Sequence, residues 1–577
     1  MGRKIQFCLV YRDMWQSSGK YVPRVDQLKE VAPAIIDMGC FTRVETNGGA
    51  SEQVNLLYGE NPNKAVREWV KPFNEAGIQT MMLERALNGL RMYPVPADVR
   101  RLMFKVKKAQ GVDVIRSFCG LNDTRNLELS VKYAKEAGLI SQAALSITHS
   151  QIHTVEYYMN IVDKLVEFGA DEIGLKDMAG VGRPVTLGKL TKAIKDKYPH
   201  IVVHYHGHCG PGFSPTSALE VARAGADIID VAVEPLAWGK VHPDVITIRE
   251  MLADAGFDVP TINMNAYMEV RRLTQKFMDD FLGYFMDPKN KICTSLLVGC
   301  GLPGGMMGSM MADLKSMHGA INVALQQFGK PTVSIDDLVV QLFQEVEYVW
   351  PKLGNPPLVT PFSQYVKNIA LMNIYAMANN QERFSMIDKD SWNMILGRMG
   401  KLPGTLAPEI VAIAKEKGYE FFTGNPQDEY PDALETYRQE MISKGWDFGQ
   451  DDEELFELAM HDRQYRDYKS GLAKKRFNEE LEAIKNKENK PTQVEDDKDP
   501  KVKKIKAPET GKLLFAFISA QYQIGDPISV DEQLFYIESN TNYEVVISEF
   551  AGTVGKLYRK QGDWVHAGDT IMTIVTE

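Results

Sequence analysis

The chain has 577 residues, of which 44% are hydrophobic and 25% are charged, and its formal net charge is −10. This composition is typical of a folded protein with several domains, and the negative charge argues against a nucleic-acid-binding protein. Six scattered cysteines without paired spacing predict reduced thiols and a cytoplasmic protein. No secretory segment opens the sequence and no apolar run reaches about 18 residues, so we expect no direct membrane insertion.

Strand-like runs recur through the first half of the chain at the spacing of a βα unit. The eight runs are residues 5–13, 41–49, 77–85, 112–118, 140–148, 171–180, 201–208 and 227–236. Helical patterns that often end in glycine fill the intervals. The pattern predicts an α/β protein with a (β/α)₈ TIM barrel over residues 1–304. An open doubly wound sheet is the alternative, but no GxGxxG follows the first strand.

The remainder of the sequence changes composition twice. Residues 305–482 are rich in helical patterns of Met, Leu and aromatic residues and predict an α-helical domain. Residues 483–508 are charged, contain proline and lack large apolar side chains, which is typical of a linker. Residues 509–577 return to short β alternation with turn glycines and predict a small all-β domain.

The stretch IVVHYHGHCG at 201–210 places histidines at 204, 206 and 208, and alternate strand residues share a face. A metal site is one interpretation of this pattern, and a polar strand end is the other. Three histidines on one straight strand do not all reach one ion. We therefore expect His206 and His208 to bind, and His204 to be a hydrogen-bonded core residue deeper in the barrel.

Three more predicted strands end in charged residues. In such barrels the carboxyl ends of the strands form one mouth, where the catalytic residues lie, so these residues would lie near His206 and His208. These ends are Arg12-Asp13, Glu84-Arg85 and Lys176-Asp177. One carboxylate with two imidazoles suits a divalent ion such as Zn, Mn or Co. Lys176 is unusual, because a lone buried ammonium is costly unless it is neutral, paired or chemically modified.

Several motifs together resemble one family, the biotin-dependent carboxyltransferases that act on pyruvate and oxaloacetate. The motifs are YRDMWQS (11–17), MLERALN (82–88), DVIRSFCGLND (113–123), GLKDMAG (174–180), HGH (206–208), GADIIDVA (225–232), LPGGMMGSM (302–310) and GNPPLVTPFSQ (354–364). Members of this family include pyruvate carboxylase, the oxaloacetate decarboxylase alpha subunit and the transcarboxylase 5S subunit. The resemblance extends over nearly the whole chain.

The resemblance implies a metal site. Asp13, His206 and His208 match the family's metal ligands, and Lys176 matches its carbamylated lysine, whose carbamate oxygen completes the site. A carbamate turns a buried cation into an anionic ligand, which removes the difficulty that the sequence raised for this lysine.

The resemblance also implies a substrate pocket. Arg85 matches the arginine that holds the keto-acid carboxylate, and Gln16 matches a glutamine that contacts substrate. Either Thr294 or Ser295, depending on the alignment, matches the hydroxyl that shuttles a proton between biotin and the enolate. Asn47 departs from the family, which usually has tryptophan there.

The C-terminal segment resembles a biotinyl domain without its attachment residue. The family's lysine lies eleven residues before the glycine that corresponds to Gly552, and this position is Thr541. A hydroxyl cannot form the amide that attaches biotin, and neither Asn540 nor Asn542 can do so. We expect biotin to be supplied in trans by a separate carrier protein. The domain is then a docking surface, or else a passive relic.

The sequence thus predicts the carboxyltransferase subunit of a multi-subunit biotin-dependent enzyme. It would move a carboxyl group between carboxybiotin on a carrier protein and pyruvate or oxaloacetate, through a metal-stabilised enolate. Expected partners are that carrier and a second transferase or biotin carboxylase subunit, and the family implies a homodimer.

Four competing interpretations stay open at the level of sequence. The transcarboxylase 5S arrangement is preferred over that of an oxaloacetate decarboxylase alpha subunit or a pyruvate carboxylase B-type subunit. A biotin-independent keto-acid lyase or aldolase of the same barrel superfamily would need neither the helical domain nor the biotinyl-like domain. A non-catalytic scaffold would not need the set of candidate ligands.

Overall fold

Eight parallel strands close into a barrel, in a computed structural model that describes residues 2–300, 306–488, 499–515, 522–538, 543–560 and 562–576. Each strand pairs with the next, and β8 pairs with β1. The strands are β1 (Gln6–Leu9), β2 (Phe41–Gly48), β3 (Gln79–Glu84), β4 (Val114–Phe118), β5 (Ile140–Ser146), β6 (Glu172–Asp177), β7 (Val202–Gly207) and β8 (Ile228–Val231). The predicted TIM barrel is confirmed, and the open sheet is wrong.

The first predicted strand is divided between a strand and a helix. Residues 5–13 form β1 and the start of α1 (Tyr11–Ser18), so Asp13 lies in the first turn of a helix and not at a strand end. An acidic residue in the first turn is favoured by the positive end of the helix dipole. The helix still begins where the strand leaves the barrel, and it keeps Asp13 at the mouth.

Amphipathic helices enclose the barrel and bury its outer face. They are α2 (Val25–Asp37), α3 (Ser51–Tyr58), α4 (Pro62–Glu75), α5 (Ala97–Ala109), α6 (Thr124–Glu136), α7 (Val155–Glu167), α8 (Pro184–Lys197), α9 (Ser214–Ala224), α10 (Val245–Asp254) and α11 (Met264–Asp280). Apolar side chains on one side of each helix pack on the strands, as the helical period requires.

Charged residues fill much of the barrel interior, and they are paired. Arg43 binds Glu172 through two contacts of 2.8 Å. Asp230 accepts hydrogen bonds from Arg116 at 2.5 Å and from His204 at 2.6 Å. Pairing of this kind offsets the high cost of removing charges from water. The interior therefore provides a rigid polar floor beneath the mouth of the barrel.

The helices that follow the barrel are built onto it, and residues 1–475 form one compact unit. They are α12 (Leu297–Cys300), α13 (Met306–Gln327), α14 (Ile335–Lys352), α15 (Phe362–Ala378), α16 (Lys389–Ile395), α17 (Pro408–Glu416), α18 (Leu434–Ser443), α19 (Glu453–Met460), α20 (Asp462–Lys469) and α21 (Leu472–Glu488). Phe456 and Met460 of α19 share a buried cluster with Val99 and Met103 of α5. The domain boundary at residue 304 stays a prediction from composition. Among the described helices, none combines the length and the apolar character needed to cross a membrane.

A second compact unit, Arg476–Glu577, contains the small β domain. Its strands are β9 (Val502–Lys506), β10 (Gly511–Phe515), β11 (Pro527–Ile528), β12 (Gln533–Glu538), β13 (Tyr543–Ile547), β14 (Gly552–Leu557), β15 (Trp564–Val565) and β16 (Thr570–Val575). They form two four-stranded sheets, in the orders β13-β12-β10-β15 and β11-β14-β16-β9. Leu513, Leu534, Phe535 and Ile571 are fully buried in its core.

The limits of the predicted linker need correction. The β domain begins earlier than residue 509, because β9 pairs with β16 from Val502 onward and buries Ile505. Helix α21 extends to Glu488, beyond the predicted start of the linker at residue 483. The lysines on both sides of Ile505 gave this strand the composition of a charged linker. Residues 489–498 of the predicted linker lie outside the described residues.

Candidate metal centre and active site

Three of the predicted metal ligands converge at the mouth of the barrel. His206 Nε2 and His208 Nε2 lie 3.4 Å and 3.3 Å from Asp13 Oδ2, and 3.2 Å from each other. All three residues are buried. Three donor atoms at these separations can surround a single ion with ordinary ligand bonds of about 2.1 Å. The residues present therefore fit a divalent transition ion.

Lys176, from the end of β6, joins the same cluster. Its Nζ lies 3.1 Å from His206 Nε2 and 5.2 Å from the centre of the Phe118 ring. Burial, more than any neighbouring charge, lowers the pKa of Lys176 to about 8. The amine is thus much closer to its neutral form at physiological pH than an exposed lysine is, and neutral amines are the nucleophilic form.

Neighbouring groups orient the two imidazoles and the carboxylate. His206 Nδ1 donates to Asp230 at 2.6 Å, and His208 Nδ1 donates to the carbonyl oxygen of Lys240 at 2.8 Å. Each ring therefore directs Nε2 into the cluster, which is how outer partners fix the tautomer of metal-binding histidines. Ser17 Oγ donates to Asp13 at 3.1 Å.

The charge states of the cluster also suit a cation. Burial opposes ionisation of Asp13, but the Arg12 guanidinium and the His208 imidazole outweigh it and hold the pKa of Asp13 well below its usual value. Burial, followed by the Lys176 charge, lowers the pKa of His206 well below its usual value. An ionised carboxylate beside a neutral imidazole is the state in which both groups act as ligands.

Arg85 and Gln16 meet at the turn that follows β2. Arg85 Nη1 donates to the carbonyl oxygens of Gly49 and Leu90, at 3.1 Å and 2.9 Å. Gln16 Oε1 accepts from the backbone N–H of Ala50 at 3.2 Å. Gly49 has φ +60°, and a Cβ there would approach Gln16 Oε1 to 2.5 Å. The turn needs glycine for its backbone conformation and for this close approach.

A small cavity opens beside Arg85. Phe118, at the end of β4, lines it together with Asn88 and with Thr360–Phe362 from the helical region. Phe118 is also the ring beneath the Lys176 ammonium. The cavity therefore shares a wall with the metal cluster, and residues from both the barrel and the helical region enclose it.

Thr294 and Ser295 follow the barrel in the chain but return to its mouth. The Thr294 backbone N–H donates to the carbonyl oxygen of Gly210 at 3.1 Å, two residues after His208. The Thr294 residue is half-buried, and Ser295 is exposed. The segment lies near the cluster, but among the described residues neither hydroxyl is hydrogen-bonded to a predicted ligand.

His204 and three residues that sequence reasoning missed complete the interior of the site. His204 is fully buried and bonded to Asp230, as expected for a core histidine. His242 belongs to the same potential ligand group as Asp13, His206 and His208, and no sequence pattern indicated it. Asp230 and Arg116 were also missed, although the inward parity of Asp230 on β8 was an available indication.

The predicted biotin-attachment position, Thr541, lies outside the described residues. The strands on either side of it are described, and β12 and β13 pair antiparallel with Glu538 opposite Tyr543. Together with the two-sheet fold, this is the strand arrangement expected around the attachment position of a biotinyl domain.

A parallel (β/α)₈ barrel with a carboxylate, a lysine and several imidazoles at the carboxyl ends of its strands defines an α/β barrel enzyme with a candidate metal centre. Three family models match the chain: an HMGL-like family over residues 123–237, a conserved carboxylase domain over 327–506 and a domain of biotin-requiring enzymes over 503–574. These matches and the relatives below confirm the resemblance to the biotin-dependent carboxyltransferases.

Curated relatives agree with this resemblance. The pyruvate carboxylase B subunit of Methanocaldococcus jannaschii is 29% identical, over 98% of this chain and 92% of its own. The methylmalonyl-CoA carboxyltransferase 5S subunit of Propionibacterium freudenreichii subsp. shermanii is also 29% identical, over 74% of this chain and 80% of its own. The carboxyl transferase domain of Rhizobium etli pyruvate carboxylase has a TM-score of 0.72 at 20% identity, covering 95% of this chain and 88% of that one. At 20% identity, the similarity to the Rhizobium etli domain shows a shared fold only.

Proposed function

We propose that the chain is the carboxyltransferase subunit of a multi-subunit biotin-dependent enzyme. It would transfer a carboxyl group between carboxybiotin on a separate carrier protein and pyruvate or oxaloacetate. The observation that carries this proposal is the convergence of Asp13, Lys176, His206 and His208, whose neighbouring donor atoms lie 3.1–3.4 Å apart, in a chain that resembles this family.

Asp13, His206 and His208 would hold a divalent ion of the Zn, Mn or Co type. Such an ion supplies Lewis acidity toward a keto oxygen. Lys176 would join it as a carbamate: the neutral amine attacks carbon dioxide, an N–C bond forms while one C=O π bond breaks to leave an anionic oxygen, and one proton leaves the nitrogen for solvent. Its pKa of about 8 supports this step, because a substantial fraction of the amine is then available for the attack. The resulting anion also removes the cost of a buried ammonium.

Arg85 would bind the carboxylate of the keto acid. Its described hydrogen bonds both use Nη1, which orients the guanidinium beside the cavity lined by Phe118. A planar, fixed guanidinium suits a carboxylate better than a flexible ammonium does. Gln16, held by Arg12 and Ala50 on the other side of the Gly49 turn, would contact the same substrate.

A hydroxyl in the segment after the barrel would carry the proton that carboxyl transfer exchanges between the substrate methyl and the biotin ring. Thr294 Oγ1 is our first candidate, since the Thr294 backbone is bonded to Gly210 near His208. Ser295 Oγ is the second. Separate Thr294→Ala and Ser295→Ala variants distinguish them, because only loss of the shuttle lowers kcat while the keto-acid KM is kept.

Biotin would come from another protein. Position 541 carries no amine, although the domain around it matches the family of biotin-requiring enzymes over residues 503–574. We infer that this domain is a docking surface for the carrier, and that a second transferase or a biotin carboxylase subunit completes the enzyme. The alignment with the pyruvate carboxylase B subunit covers 98% of the chain, and that with the 5S subunit covers 74%. This difference favours the subunit organisation of a pyruvate carboxylase B-type subunit.

The decisive experiment measures oxaloacetate decarboxylation by the purified chain, with and without free biotin. We expect pyruvate release that rises with biotin and disappears in Lys176→Ala. Lys192→Ala, an exposed lysine of α8, is the matched control and should behave as wild type. Activity independent of biotin would indicate a lyase or aldolase instead, and inactivity without bound metal would indicate a scaffold.

A second experiment tests the supply of biotin in trans. The chain is incubated with a biotin protein ligase, ATP and biotin, and analysed by mass spectrometry and streptavidin blot. The wild-type chain should stay unmodified, whereas Thr541→Lys should gain one biotinyl group if its two asparagine neighbours are tolerated. Biotin on any native lysine of the β domain would overturn the proposal of a separate carrier.

The assembly and location are further parts of the proposal. The family resemblance supports a homodimer and a cytoplasmic protein, and light scattering together with cell fractionation tests both. A monomer at micromolar concentration, or recovery in a membrane fraction, would contradict the respective expectation.

A further inference from the structure

His242 lies in the loop between β8 and α10, and this loop is firmly attached to the mouth of the barrel. Its carbonyl oxygen accepts from the Trp238 N–H at 2.9 Å, and the neighbouring Val241 carbonyl accepts from the Cys209 N–H at 2.7 Å. The carbonyl of Lys240, two residues earlier, orients His208. The loop therefore holds the His242 ring in place beside the metal cluster.

The His242 ring is fully buried and packed against two other imidazoles. Its centroid lies 4.3 Å from that of His206 and 4.2 Å from that of His208. Its Nε2 is 3.2 Å from His206 Nδ1, but that nitrogen already donates to Asp230 at 2.6 Å. Within the described residues, His242 Nδ1 has no hydrogen-bond partner.

A buried polar nitrogen without a partner is destabilising. A bound ion beside the ring would remove this cost by giving the imidazole a ligand bond. Donor atoms of Asp13, His206, His208 and His242 all lie within 4.8 Å of one another, which is compact enough for one ion.

A second potential ligand group in the described part of the barrel is formed by Cys8, His204 and Asp230. It differs from the first because its members are already engaged. His204 Nε2 and Asp230 Oδ1 are hydrogen-bonded to each other, and Asp230 Oδ2 accepts from both Arg116 and His206, so both carboxylate oxygens are occupied. Such a group does not favour a cation, so only the group that contains His242 supports a metal ligand.

We propose that His242 is a further ligand of the metal ion, which three imidazoles and the Asp13 carboxylate would then hold together with the proposed Lys176 carbamate. The proposal rests on the metal site of the proposed function and deepens it. A third imidazole makes the site richer in nitrogen, which favours Zn or Co over ions that prefer oxygen, such as Mg. His242 would also retain the ion when Lys176 is not carbamylated.

The test measures metal binding directly, without reference to activity. Wild type, His242→Ala, His242→Asn and the control His153→Asn are stripped with a chelator and titrated with Zn in competition with a chromophoric chelator. His153 is a buried histidine on the loop after β5, outside the ligand group. We expect the Zn Kd to increase by about 100-fold in both His242 variants. Loss of a residue that only supports a ligand costs about 10- to 100-fold in metal affinity, and loss of a ligand should reach the upper end of this range. The control should keep the wild-type Kd.

The Co(II)-loaded proteins show whether His242 is bonded to the ion. Hyperfine-shifted, exchangeable imidazole N–H signals should number three in wild type and two in the His242 variants. Two such signals in wild type, or a Zn Kd that changes by less than about threefold, would overturn the proposal. Circular dichroism of each protein, together with the milder His242→Asn variant, shows whether a loss of binding comes from misfolding.

Failure of this inference is distinguishable from failure of the proposed function. If the wild-type chain decarboxylates oxaloacetate with biotin but the His242 variants bind Zn as tightly as wild type, the proposed function stands and His242 is not a ligand. A wild-type chain that binds no metal contradicts both.

Discussion

The barrel mouth and the C-terminal β domain both have the expected fold, but only the barrel mouth has the reactive residues expected with its fold. At the mouth, Asp13 comes from α1, Lys176 from β6, and His206 and His208 from the end of β7, and their neighbouring donor atoms lie 3.1–3.4 Å apart. In the β domain, two complete four-stranded sheets are present, but the position that would carry biotin is a threonine. A fold can thus be complete where its reactive group is missing, so function has to be argued from the group.

The largest effect should come from breaking the barrel mouth. In His206→Ala the ring that contacts Lys176 and His208 and bonds to Asp230 is lost, so the metal ion should be lost as well. We expect biotin-dependent oxaloacetate decarboxylation to fall by roughly 10³-fold or more. Metal analysis and initial rates measure this. Retention of both bound metal and activity would show that the cluster is not the active site.

The second effect concerns the β domain. Phe535→Ala leaves a cavity in its core and should destabilise that domain by about 3–5 kcal/mol. Calorimetry and hydrogen exchange should show early unfolding of residues 502–575, while decarboxylation with free biotin stays at the wild-type rate. Transfer from a biotinylated carrier should fall if the domain is the docking surface. Val545→Ala, a half-exposed residue of β13, is the control for substitution in this domain.

A third, smaller effect separates substrate binding from the metal site. Arg85→Lys keeps the charge but loses the planar guanidinium, so the keto-acid KM should rise by about 10- to 100-fold. Bound metal should stay unchanged. Arg101→Lys, an exposed arginine paired with Glu136, is the matched control. A keto-acid KM within about twofold of wild type would remove Arg85 from the pocket.

The smallest effect is a pH dependence of stability confined to the barrel unit. His461 is buried where α19 meets α20, and burial, then the charge of Lys107, lowers its pKa to about 3. Below about pH 6.5 the unfolded chain binds a proton there and the folded chain does not, so stability falls as the pH falls from about 6.5 toward about 3. The loss should reach about 1.4 kcal/mol at about pH 5.5.

His461→Gln should lack this loss. The measurement compares the thermal midpoints of wild type and variant at about pH 7.5 and about pH 5.5, with the β-domain transition as internal reference. An equal difference between the two proteins at both pH values would contradict the assignment of this titration to His461.

Much of the architecture followed from local patterns. The eight barrel strands and the short strands of the β domain were predictable because hydrophobic alternation reports which residues face a core. The pairing of His206 and His208 was predictable for the same reason, since residues two apart on a strand share a face. The prediction failed at the end of β1, because the chain passes from strand to helix across the single residue Val10 and hydrophobicity does not mark this change.

Other parts of the site depend on residues far apart in the chain. His242 follows an ordinary loop sequence, and nothing near it predicts that the Trp238–Pro243 segment folds back over His206 and His208. Thr360–Phe362 reaches the Arg85 cavity only because the helical region packs on the barrel. Such contacts arise from packing of separate elements, which one sequence does not encode in any local period.

The sequence by itself determined the barrel, the β domain, the candidate ligands Asp13, His206 and His208, and the absence of an amine at position 541. Each of these follows from residue type and from the short period of a strand or turn. Only the tertiary structure decided that Asp13 acts from a helix, that Asp230 orients His206, and that His242 adds an imidazole to the cluster. These depend on closure of the barrel, which brings the ends of β1, β6, β7 and β8 to one point although more than 200 residues separate the first from the last.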